Sequence, residues 1–391
     1  MNSRHSEGFL DRKAETLPNV QAVILAGGKG TRLRPVTVDL PKPLVPIANR
    51  PLVVHQLAHL AASGIRDVTL ALGYNAERFG GVKEEASRLD LNLHLITEPA
   101  PLGTGGALRW CADAGAFDDR PLLWLNGDVV ATPSVRGLLD VHSNRDALVT
   151  FWLTSVRDVT QFGVLELDQD GQVERFLEKP APEETDSHLI NAGILMLDPS
   201  VLHRIPPDTF FSFEQQLLPA MVRERDRLYG VLDGGYWLDT GRPRHYLGAN
   251  RHVLEGRVDW WPYGQHTEDG LWEGEAVKRD GVIVINPAAL GDRVHLEPGA
   301  KLFGRTVLGN DVIVRAGAAL ETCVIFDDVE IGRDAQIVNS IVCAGARVGN
   351  GAILRDSIVG ARSVVGDRNE LLRARLWNDV TLPTDVLKID L

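Results

Sequence analysis

The sequence has little cysteine, no long apolar run and no excess of basic charge. Its 391 residues include three cysteines, Cys111, Cys323 and Cys343, which are too few and too scattered for a disulfide framework or a zinc cluster. No apolar run approaches the roughly 18 residues of a membrane-spanning helix. Lysine and arginine number 41 against 53 aspartate and glutamate, so the formal charge is −12 and a basic nucleic-acid-binding stripe is not expected. We therefore expect a cytoplasmic protein that binds neither membranes nor nucleic acid.

The chain divides by pattern into a tail and a first domain. Residues 1–19 are polar, mixed in charge and without the apolar segment of a secretory signal, which predicts a tail. From 20 to 257, strand-like and helix-like segments alternate, beginning with the apolar run QAVILA at 21–26. This alternation predicts βαβ units and a largely parallel sheet, in which ligands bind beyond the carboxyl ends of the strands.

A six-residue period replaces this alternation near the C-terminus. A hexapeptide solenoid has this period, because each side of its three-sided coil turns one aliphatic residue inward. We predict a left-handed parallel β-helix over 282–391, preceded by a connector at 258–281 that is rich in tryptophan, glycine and acidic residues. With three one-residue resets, the repeating aliphatic positions are Val284, Leu290, Leu296, Leu302, Leu308, Val314, Leu320, Ile325, Ile331, Ile337, Val342, Val348, Leu354, Val359, Val365 and Leu371.

The turn after the first predicted strand is rich in glycine and followed by cations. It reads AGGKGTRL from residue 26, and Lys42 follows between two prolines. Glycine-rich turns let backbone amides approach an anion closely, although an ordinary βα turn is the simpler alternative. A Rossmann fingerprint needs a third glycine where Leu33 stands, and a P-loop needs Gly-Lys-Ser/Thr, so neither motif is present. Two cations, Arg32 and Lys42, beside a glycine cradle favour a triphosphate over a neutral ligand.

The longer segment AGGKGTRLRPVTVDLPKPLVPI (26–47) resembles the signature of the sugar-1-phosphate nucleotidylyltransferases. The resemblance covers residue 21 to the C-terminus. Within this family, the motifs are most similar to those of the mannose-1-phosphate guanylyltransferases. It implies a Rossmann-like mixed, mostly parallel sheet domain at 20–257, followed by the hexapeptide β-helix. Further matches follow in chain order: EPAPLGTGGAL (98–108), LNGD (125–128), FGV (162–164), FLEKP (176–180), INAGI (190–194) and YWLDTG (236–241).

The resemblance implies that a nucleoside triphosphate, with GTP favoured, reacts with a sugar 1-phosphate, with mannose 1-phosphate favoured. The products would be a nucleoside diphosphate sugar and pyrophosphate. The attacking phosphate oxygen already carries charge near neutral pH, so we expect catalysis by positioning and charge neutralisation rather than by a general base. Phe162 stands where many relatives carry tyrosine, which leaves another sugar, a heptose or a cyclitol phosphate as alternatives. Another triphosphate is a further alternative, because the thymidylyl, uridylyl and adenylyl transferases that the chain resembles share the same phosphate-binding residues.

Nucleotide-binding roles follow from the same resemblance. Arg32 and Lys42 are the implied catalytic residues, with Arg32 on the leaving pyrophosphate and Lys42 on phosphate oxygens near the reacting phosphorus. The alternative for both is a solvated surface cation. The implied nucleotide-binding residues are Leu25, Ala26, Gly27, Gly28, Gly30, Thr31, Arg32, Lys42, Gly103, Thr104 and Asp128.

The resemblance also implies a metal site and a sugar-phosphate site. Asp128 and Asp239 would hold Mg²⁺, a hard ion that binds carboxylate and phosphate oxygens. The alternative for each is a turn or helix-cap residue. Four residues would bind the sugar phosphate, of which Glu178 and Lys179 are alternatively an exposed ion pair of little energetic weight. These four residues are Gly163, Glu178, Lys179 and Asn191.

Two functions of other classes remain as alternatives. The solenoid could belong to an acyltransferase, but such enzymes usually need a histidine base, and His295 is the one histidine after residue 282. The chain could instead be a non-catalytic regulatory homologue, although it retains the phosphate- and metal-binding residue types. We expect the β-helix to serve assembly as a homo-oligomer.

Overall fold

The computed structural model describes residues 19–386 and the backbone of 388–390. The predicted tail lies outside the described residues except for its last residue. The described chain forms two compact units. The sheet unit comprises residues 19–29 and 56–237, and the solenoid unit comprises 30–55 and 238 onward. This grouping cuts across the predicted domains at 20–257, 258–281 and 282–391, whose boundaries stay a prediction.

The sheet unit is built on a nine-stranded mixed sheet, as the resemblance implies. The strands are β1 Gln21–Ala26, β2 Asp67–Leu72, β3 Asn92–Thr97, β4 Leu122–Asn126, β5 Val149–Ser155, β6 Gly163–Leu167, β7 Val173–Glu178, β8 Leu189–Leu197 and β9 Leu228–Val231. Their order in the sheet is β7-β6-β8-β4-β1-β2-β3, and β5 pairs with β8 and β9 with β5. β4, β1, β2 and β3 run parallel, whereas β8 is antiparallel to β4, β5 and β6.

Apolar runs in the central strands explain their burial. β1 and β4 consist almost wholly of buried residues, as expected for strands covered on both faces. Trp124 of β4 packs edge-on against Phe213, with ring centroids 5.1 Å apart. The α-helices are α1 Leu52–Ala62, α2 Val82–Arg88, α3 Gly103–Asp113, α4 Val135–Asn144, α5 Leu218–Arg223 and α6 Pro243–Leu254. No helix among the described residues has both the length and the apolar character that a membrane crossing requires.

Short segments complete the elements outside the solenoid. Single 3-10 turns and one π-helical turn connect the longer elements. The 3-10 helices are Thr31–Leu33, Lys42–Leu44, Ala76–Phe79 and Pro199–Arg204, and the π-helix is Phe213–Leu217. The remaining short strands are Pro46–Ile47, Arg50–Pro51, Val129–Ala131 and Trp237–Asp239.

The C-terminal part of the solenoid unit is a three-sided parallel β-helix, consistent with the predicted left-handed coil. Its first face holds Trp272–Glu273, Ala288–Leu290, Thr306–Leu308, Val324–Ile325, Ile341–Val342, Ile358–Val359 and Arg375–Leu376, and the strand Gln265–His266 pairs antiparallel with Trp272–Glu273 at the edge of this face. The second holds Ile283–Ile285, Lys301–Phe303, Ala319–Glu321, Gln336–Val338, Ile353–Arg355, Glu370–Leu372 and Lys388–Asp390. The third holds His295–Leu296, Ile313–Val314, Glu330–Ile331, Arg347–Val348, Val364–Val365 and Thr381–Leu382.

The predicted six-residue positions form the interior of this β-helix. Leu290 pairs in register with Leu308, and Leu308 with Ile325, so each reset shortens one coil without moving the stack. Nearly all of these aliphatic side chains are fully buried in one continuous core. The period of six therefore predicts the coil correctly.

Corners of the coil carry residues with positive φ, some of them arginines. Arg362 and Arg368 both have φ 58° at successive corners. Arg362 forms two hydrogen bonds with Asp379, and Arg368 forms two with Asp385, each on the next coil. The two corners are therefore closely matched in backbone and in pairing.

The segment predicted as a connector begins the first face of the β-helix. Its strand Trp272–Glu273 pairs in parallel with Ala288–Leu290. Trp260 stacks on His55, with ring centroids 4.6 Å apart and the two ring planes nearly parallel. Burial lowers the pKa of His55 to about 3, so the ring is neutral at pH 7. The tryptophans in this segment thus pack within the solenoid unit.

Candidate functional site

The glycine-rich turn leads into residues 30–44 of the solenoid unit, here called the signature loop. Gly30 has φ 59°, in the left-handed region, and a Cβ there would lie 3.2 Å from the Cβ of Lys42 and from Cγ2 of Thr37. The Thr37 hydroxyl donates to the Gly30 carbonyl at 2.7 Å. Glycine is therefore required where the loop folds back on itself. The fold-back places Arg32, at the start of the loop, in the same unit as Lys42.

Arg32 and Lys42 share one carboxylate. The Lys42 Nζ atom lies 3.4 Å from Oδ1 of Asp239, and the Arg32 Nη2 atom lies 3.7 Å from Oδ2. The Gly241 amide donates to Oδ1 at 2.8 Å, so the turn predicted as the alternative for Asp239 is also present. The structure thus brings both predicted catalytic cations together with one of the two predicted metal ligands.

The three charges differ in exposure, and this determines what each one can do. The side chains of Lys42 and Asp239 are 6% and 11% exposed, whereas that of Arg32 is 52% exposed. A buried ammonium is held in place by its carboxylate, while a half-exposed guanidinium is free to bind a phosphate. Two cations against one carboxylate leave a net positive charge, which suits a polyphosphate ligand.

The backbone of Asp239 is fixed from the following helix, α6. The Nδ1–H of His245 donates to the Asp239 carbonyl at 3.1 Å. Burial, with a further contribution from Arg244, lowers the pKa of His245, so the ring is neutral at pH 7. This bond orients the peptide that carries the carboxylate. A helix that begins just after the YWLDTG motif is the sequence feature behind it.

Asp128 follows β4 in the sheet unit, as predicted. The Gly127 amide donates to the Leu25 carbonyl at 2.9 Å, which sets the Asp128 turn beside the carboxyl end of β1. The Gln56 Nε2 group donates to the carbonyls of Asn126, at 2.9 Å, and Val129, at 3.1 Å. Gln56 therefore spans the turn with Asp128 at its centre. Sequence patterns alone give no signal for this role.

The predicted sugar-phosphate residues gather at one end of strands β6, β7 and β8. Glu178 pairs in register with Gly163, and Ile190, next to Asn191, pairs with Val164. The Glu178 carboxylate lies 3.1 Å from the Nζ atom of Lys179. Lys179 has φ 51°, and its amide donates to the Phe162 carbonyl at 3.0 Å. A carboxylate and an ammonium at this end of the strands suit binding of hydroxyl and phosphate groups.

Phe162, the departure from the resemblance, has a packing partner. Its ring lies edge-on to Trp237, with centroids 5.5 Å apart. The Trp237 Nε1–H donates to the Ala192 carbonyl at 2.8 Å, which ties the pair to the Asn191 segment of β8. The missing hydroxyl therefore leaves an apolar wall beside the predicted sugar site.

The start of α3 carries the predicted Gly103-Thr104 turn. The Thr104 hydroxyl donates to the Glu214 carboxylate at 2.6 Å and accepts from the Phe213 amide at 3.0 Å. Its side chain is thus engaged within the sheet unit, and a contact with nucleotide would use the main chain of this turn. The role of Gly103 and Thr104 in binding the base and ribose stays a prediction.

Glu98 is a further residue at this edge to which sequence reasoning assigned no role. Its Oε2 atom accepts from the Leu102 amide at 3.0 Å. A Cβ on Gly27 would lie only 2.9 Å from Oε1, so the carboxylate sits directly against the glycine-rich turn. Burial raises the pKa of Glu98. The position of this residue at the head of the EPAPLGTGGAL match was the available signal.

The two predicted metal ligands belong to different units, Asp128 to the sheet unit and Asp239 to the solenoid unit. Within residues 19–386, no group of three or more histidine, cysteine, aspartate or glutamate side chains is arranged to hold a metal ion. Magnesium is commonly held by one or two carboxylates with phosphate oxygens and water completing the shell. The donor chemistry of the predicted pair fits that ion.

Two family models match this chain. Residues 21–256 match the family model described as nucleotidyl transferase. Residues 284–386 match the model described as the GMPPB C-terminal domain. The first match ends two residues beyond α6, and the second begins in the first repeat of the β-helix.

Curated relatives and solved structures are similar over much of the chain. The mannose-1-phosphate guanylyltransferase of Mycobacterium tuberculosis is 36% identical over 313 residues, which cover 80% of this chain and 81% of that protein. The mannose-1-phosphate guanyltransferase of Schizosaccharomyces pombe is 33% identical, over 89% of this chain and 93% of that one. The crystal structure of HddC from Yersinia pseudotuberculosis complexed with GMP-PN matches at TM-score 0.50 and 29% identity, over 59% of this chain and 98% of that chain.

Proposed function

The chain belongs to the nucleotidyl transferase family, and from this premise we propose that it joins GTP to mannose 1-phosphate, giving GDP-mannose and pyrophosphate. Relatives named mannose-1-phosphate guanylyltransferase, at 31–36% identity, support the choice of substrates. The observation that carries the chemistry is the pairing of Arg32 and Lys42 on Asp239. It brings together two cations that follow the glycine-rich turn in sequence.

The proposed reaction is an in-line displacement at the α-phosphorus. A phosphate oxygen of mannose 1-phosphate forms the new P–O bond, and the bond from the α-phosphorus to the bridging oxygen breaks. The electron pair leaves with pyrophosphate. Because the attacking oxygen is ionised near neutral pH, no protein group has to remove a proton. Catalysis then depends on alignment and on neutralising the charge that develops on the phosphates.

The phosphate-binding and the sugar-binding residues have separate roles in this proposal. Arg32 takes the charge of the departing pyrophosphate, and Lys42 contacts an oxygen on the α-phosphate. Asp239 holds the Lys42 ammonium in place, because the buried ammonium is largely shielded from water. Glu178 accepts hydrogen bonds from sugar hydroxyls, and Lys179 binds the phosphate of the sugar. The backbone of residues 25–28, with Gly30, Thr31, Gly103 and Thr104, binds the nucleotide; Gly163 and Asn191 line the sugar.

The identity and the ligands of the metal ion are also proposals. Enzymes of this family generally use a divalent metal ion, and we propose Mg²⁺ held by Asp128 and Asp239. When bound, Mg²⁺ would supply positive charge that offsets the negative charge of the phosphates. The resemblance supports this pairing, and the oxygen donors of the two side chains suit a hard cation.

Assembly and location are also proposals. We propose a homo-oligomer formed through the β-helix, in the cytoplasm. Three large aliphatic side chains stand outward on the second face of the β-helix, with Ile283 and Ile285 each 53% exposed and Leu372 40% exposed. Apolar groups on one face favour self-association. Light scattering at several protein concentrations would measure the mass of the assembly.

A panel of substrates tests the proposed function. Each of GTP, ATP, UTP and dTTP is combined with mannose, glucose, heptose or a cyclitol 1-phosphate, with Mg²⁺, and pyrophosphate release is measured. We expect GTP with mannose 1-phosphate to give the highest kcat/KM. A preference for another sugar or base would correct the substrates and keep the reaction. No pyrophosphate from any pair would contradict the proposed reaction.

Replacing Gln56 tests the support of the Asp128 turn. Gln56→Leu removes both hydrogen bonds to the turn and leaves two carbonyls without that donor, so we expect kcat to fall about tenfold. His59→Leu is the matched control, because His59 lies one turn along α1 and bonds instead to the Pro133 carbonyl, at 3.0 Å. Steady-state kinetics and thermal unfolding are measured for both variants. Equal kcat values in the two variants would show that the Asp128 turn needs no support from Gln56.

A further inference from the structure

The β-helix bonds directly to the signature loop. Oδ2 of Asp39 accepts a hydrogen bond from Nη1 of Arg362 and another from Nδ2 of Asn378, both at 2.9 Å. Both donors lie on late coils of the solenoid, more than 300 residues from Asp39 in sequence. All three residues belong to the solenoid unit.

The two donors are fixed by the coil and not by the loop. Nε and Nη2 of Arg362 donate to Asp379 at 2.7 and 2.8 Å, which leaves Nη1 for Asp39. Oδ1 of Asn378 accepts from the Ala361 amide at 3.0 Å, which leaves the Nδ2 group to face Asp39. The coil therefore presents two preset donors to a residue of the signature loop.

Asp39 is joined to Lys42 by a short and stiff piece of chain. Leu40 and Pro41 alone separate them, and Pro41 fixes its own φ. The Leu44 amide donates to the Pro41 carbonyl at 2.9 Å, which closes the 3-10 turn that Lys42 begins. A shift of Asp39 is therefore passed to the backbone of Lys42, whose buried side chain has little room to compensate.

We propose that Arg362 and Asn378 are positioning residues for nucleotidyl transfer: they hold Asp39 and thereby set Lys42 against the triphosphate. The expected effect on kcat rests on the proposed function. The expected effect on the order of the signature loop does not. The solenoid then has a part in catalysis besides assembly.

Kinetics of two matched arginine variants test the kinetic consequence. Arg362→Ala is expected to lower kcat about tenfold with KM for the sugar phosphate unchanged, because misplacement of Lys42 affects the reacting phosphate. Arg368→Ala removes an equivalent corner pair, with Asp385, that does not contact the signature loop, and its kcat is expected to stay at the wild-type value. Similar thermal unfolding midpoints are expected for the two variants, since both arginines are more than half exposed. Equal kcat values in both variants would overturn the proposal.

Hydrogen exchange tests the same inference without any turnover. The amides of Val38 and Leu44 are hydrogen-bonded within the loop, and the Val45 amide, just after it, donates to the Lys42 carbonyl, so all three report on the order of the loop. We expect them to exchange faster in Arg362→Ala than in Arg368→Ala or the wild type. Unchanged exchange in Arg362→Ala would show that Arg362 does not hold Asp39 and the signature loop in place, and it would overturn the proposal whatever the substrate panel shows. Faster exchange in Arg362→Ala, together with a wild-type chain that turns over no substrate, would instead contradict only the proposed function and the kinetic role.

A second pair of variants protects the test against misfolding. Asn378→Asp keeps an acceptor for the Ala361 amide but sets a carboxylate against Asp39. Asn350→Asp sets a carboxylate against Asp367, its neighbour on the next coil, and so introduces a similar repulsion away from the loop. We expect the loss of kcat and of loop protection in Asn378→Asp alone. The same loss in both variants would show a general effect of charge on the coil and would overturn the proposal.

Discussion

Replacing Arg32 by alanine is expected to lower kcat about 10³-fold, because a guanidinium that meets the charge of a leaving phosphate typically contributes that much. The fold should tolerate the change. The Arg32 side chain is 52% exposed and lies 3.7 Å from Asp239, so its ion pair adds little to stability. Pyrophosphate release at saturating substrates gives kcat, and thermal unfolding shows whether the midpoint has moved.

Two further variants separate the guanidinium from a general effect of positive charge. Arg32→Lys keeps the charge but not the planar fork, so we expect it to recover only part of kcat. Arg293→Ala removes an arginine of similar exposure on the solenoid, where it pairs with Asp311, and should leave kcat unchanged. An Arg32→Ala enzyme that kept more than about a tenth of wild-type kcat would contradict a transition-state role for this side chain.

Replacing Lys42 by methionine is expected to affect both kcat and stability. The ammonium is almost fully buried, 3.4 Å from the Asp239 carboxylate, so its loss leaves a buried charge with weaker partners. We expect the free energy of unfolding to fall by about 3 kcal/mol, as for other buried pairs that lose one member. We expect kcat to fall at least about 10²-fold, because the phosphate loses its contact. Denaturant unfolding and steady-state kinetics measure the two effects.

A double variant distinguishes these effects. Lys42→Met with Asp239→Asn removes both charges, so most of the lost stability should return while kcat stays low. The Gly241 amide can still donate to the asparagine oxygen, which keeps the turn intact. Recovery of kcat together with stability would show that Lys42 acts only by holding the fold. Continued low stability in the double variant would show that the pair is not the source of the loss.

The architecture follows from local patterns in the sequence, and the contacts in the site do not. A period of six with one-residue resets predicts the stacked interior of the β-helix, since each coil repeats the same local geometry. The apolar run before the glycines predicts β1, because a short apolar segment that ends in glycines is typical of a buried strand. In contrast, 197 residues separate Lys42 from Asp239, and no periodicity connects them. Only the resemblance placed both residues in one site, and it did not indicate that they form an ion pair.

Residues that support the site were the hardest to predict. Gln56 lies on α1 among apolar residues, and its two bonds across the Asp128 turn depend on how α1 packs in three dimensions. Asp39 resembles an ordinary loop carboxylate until the coil is folded and brings Arg362 beside it. The bond from the Thr104 hydroxyl to Glu214 was likewise not indicated by the sequence. Such roles depend on tertiary packing, which acts across long sequence separations.

The fate of labelled phosphates distinguishes nucleotidyl transfer from other reactions of a triphosphate. The full-length protein is incubated with Mg²⁺, mannose 1-phosphate and GTP labelled either at the α- or at the γ-phosphate. We predict that the α-label appears in GDP-mannose and the γ-label in pyrophosphate, with the initial rates of both transfers about 10³-fold lower in Arg32→Ala. Release of the γ-label as inorganic phosphate, or transfer that survives unchanged in Arg32→Ala, would contradict the account.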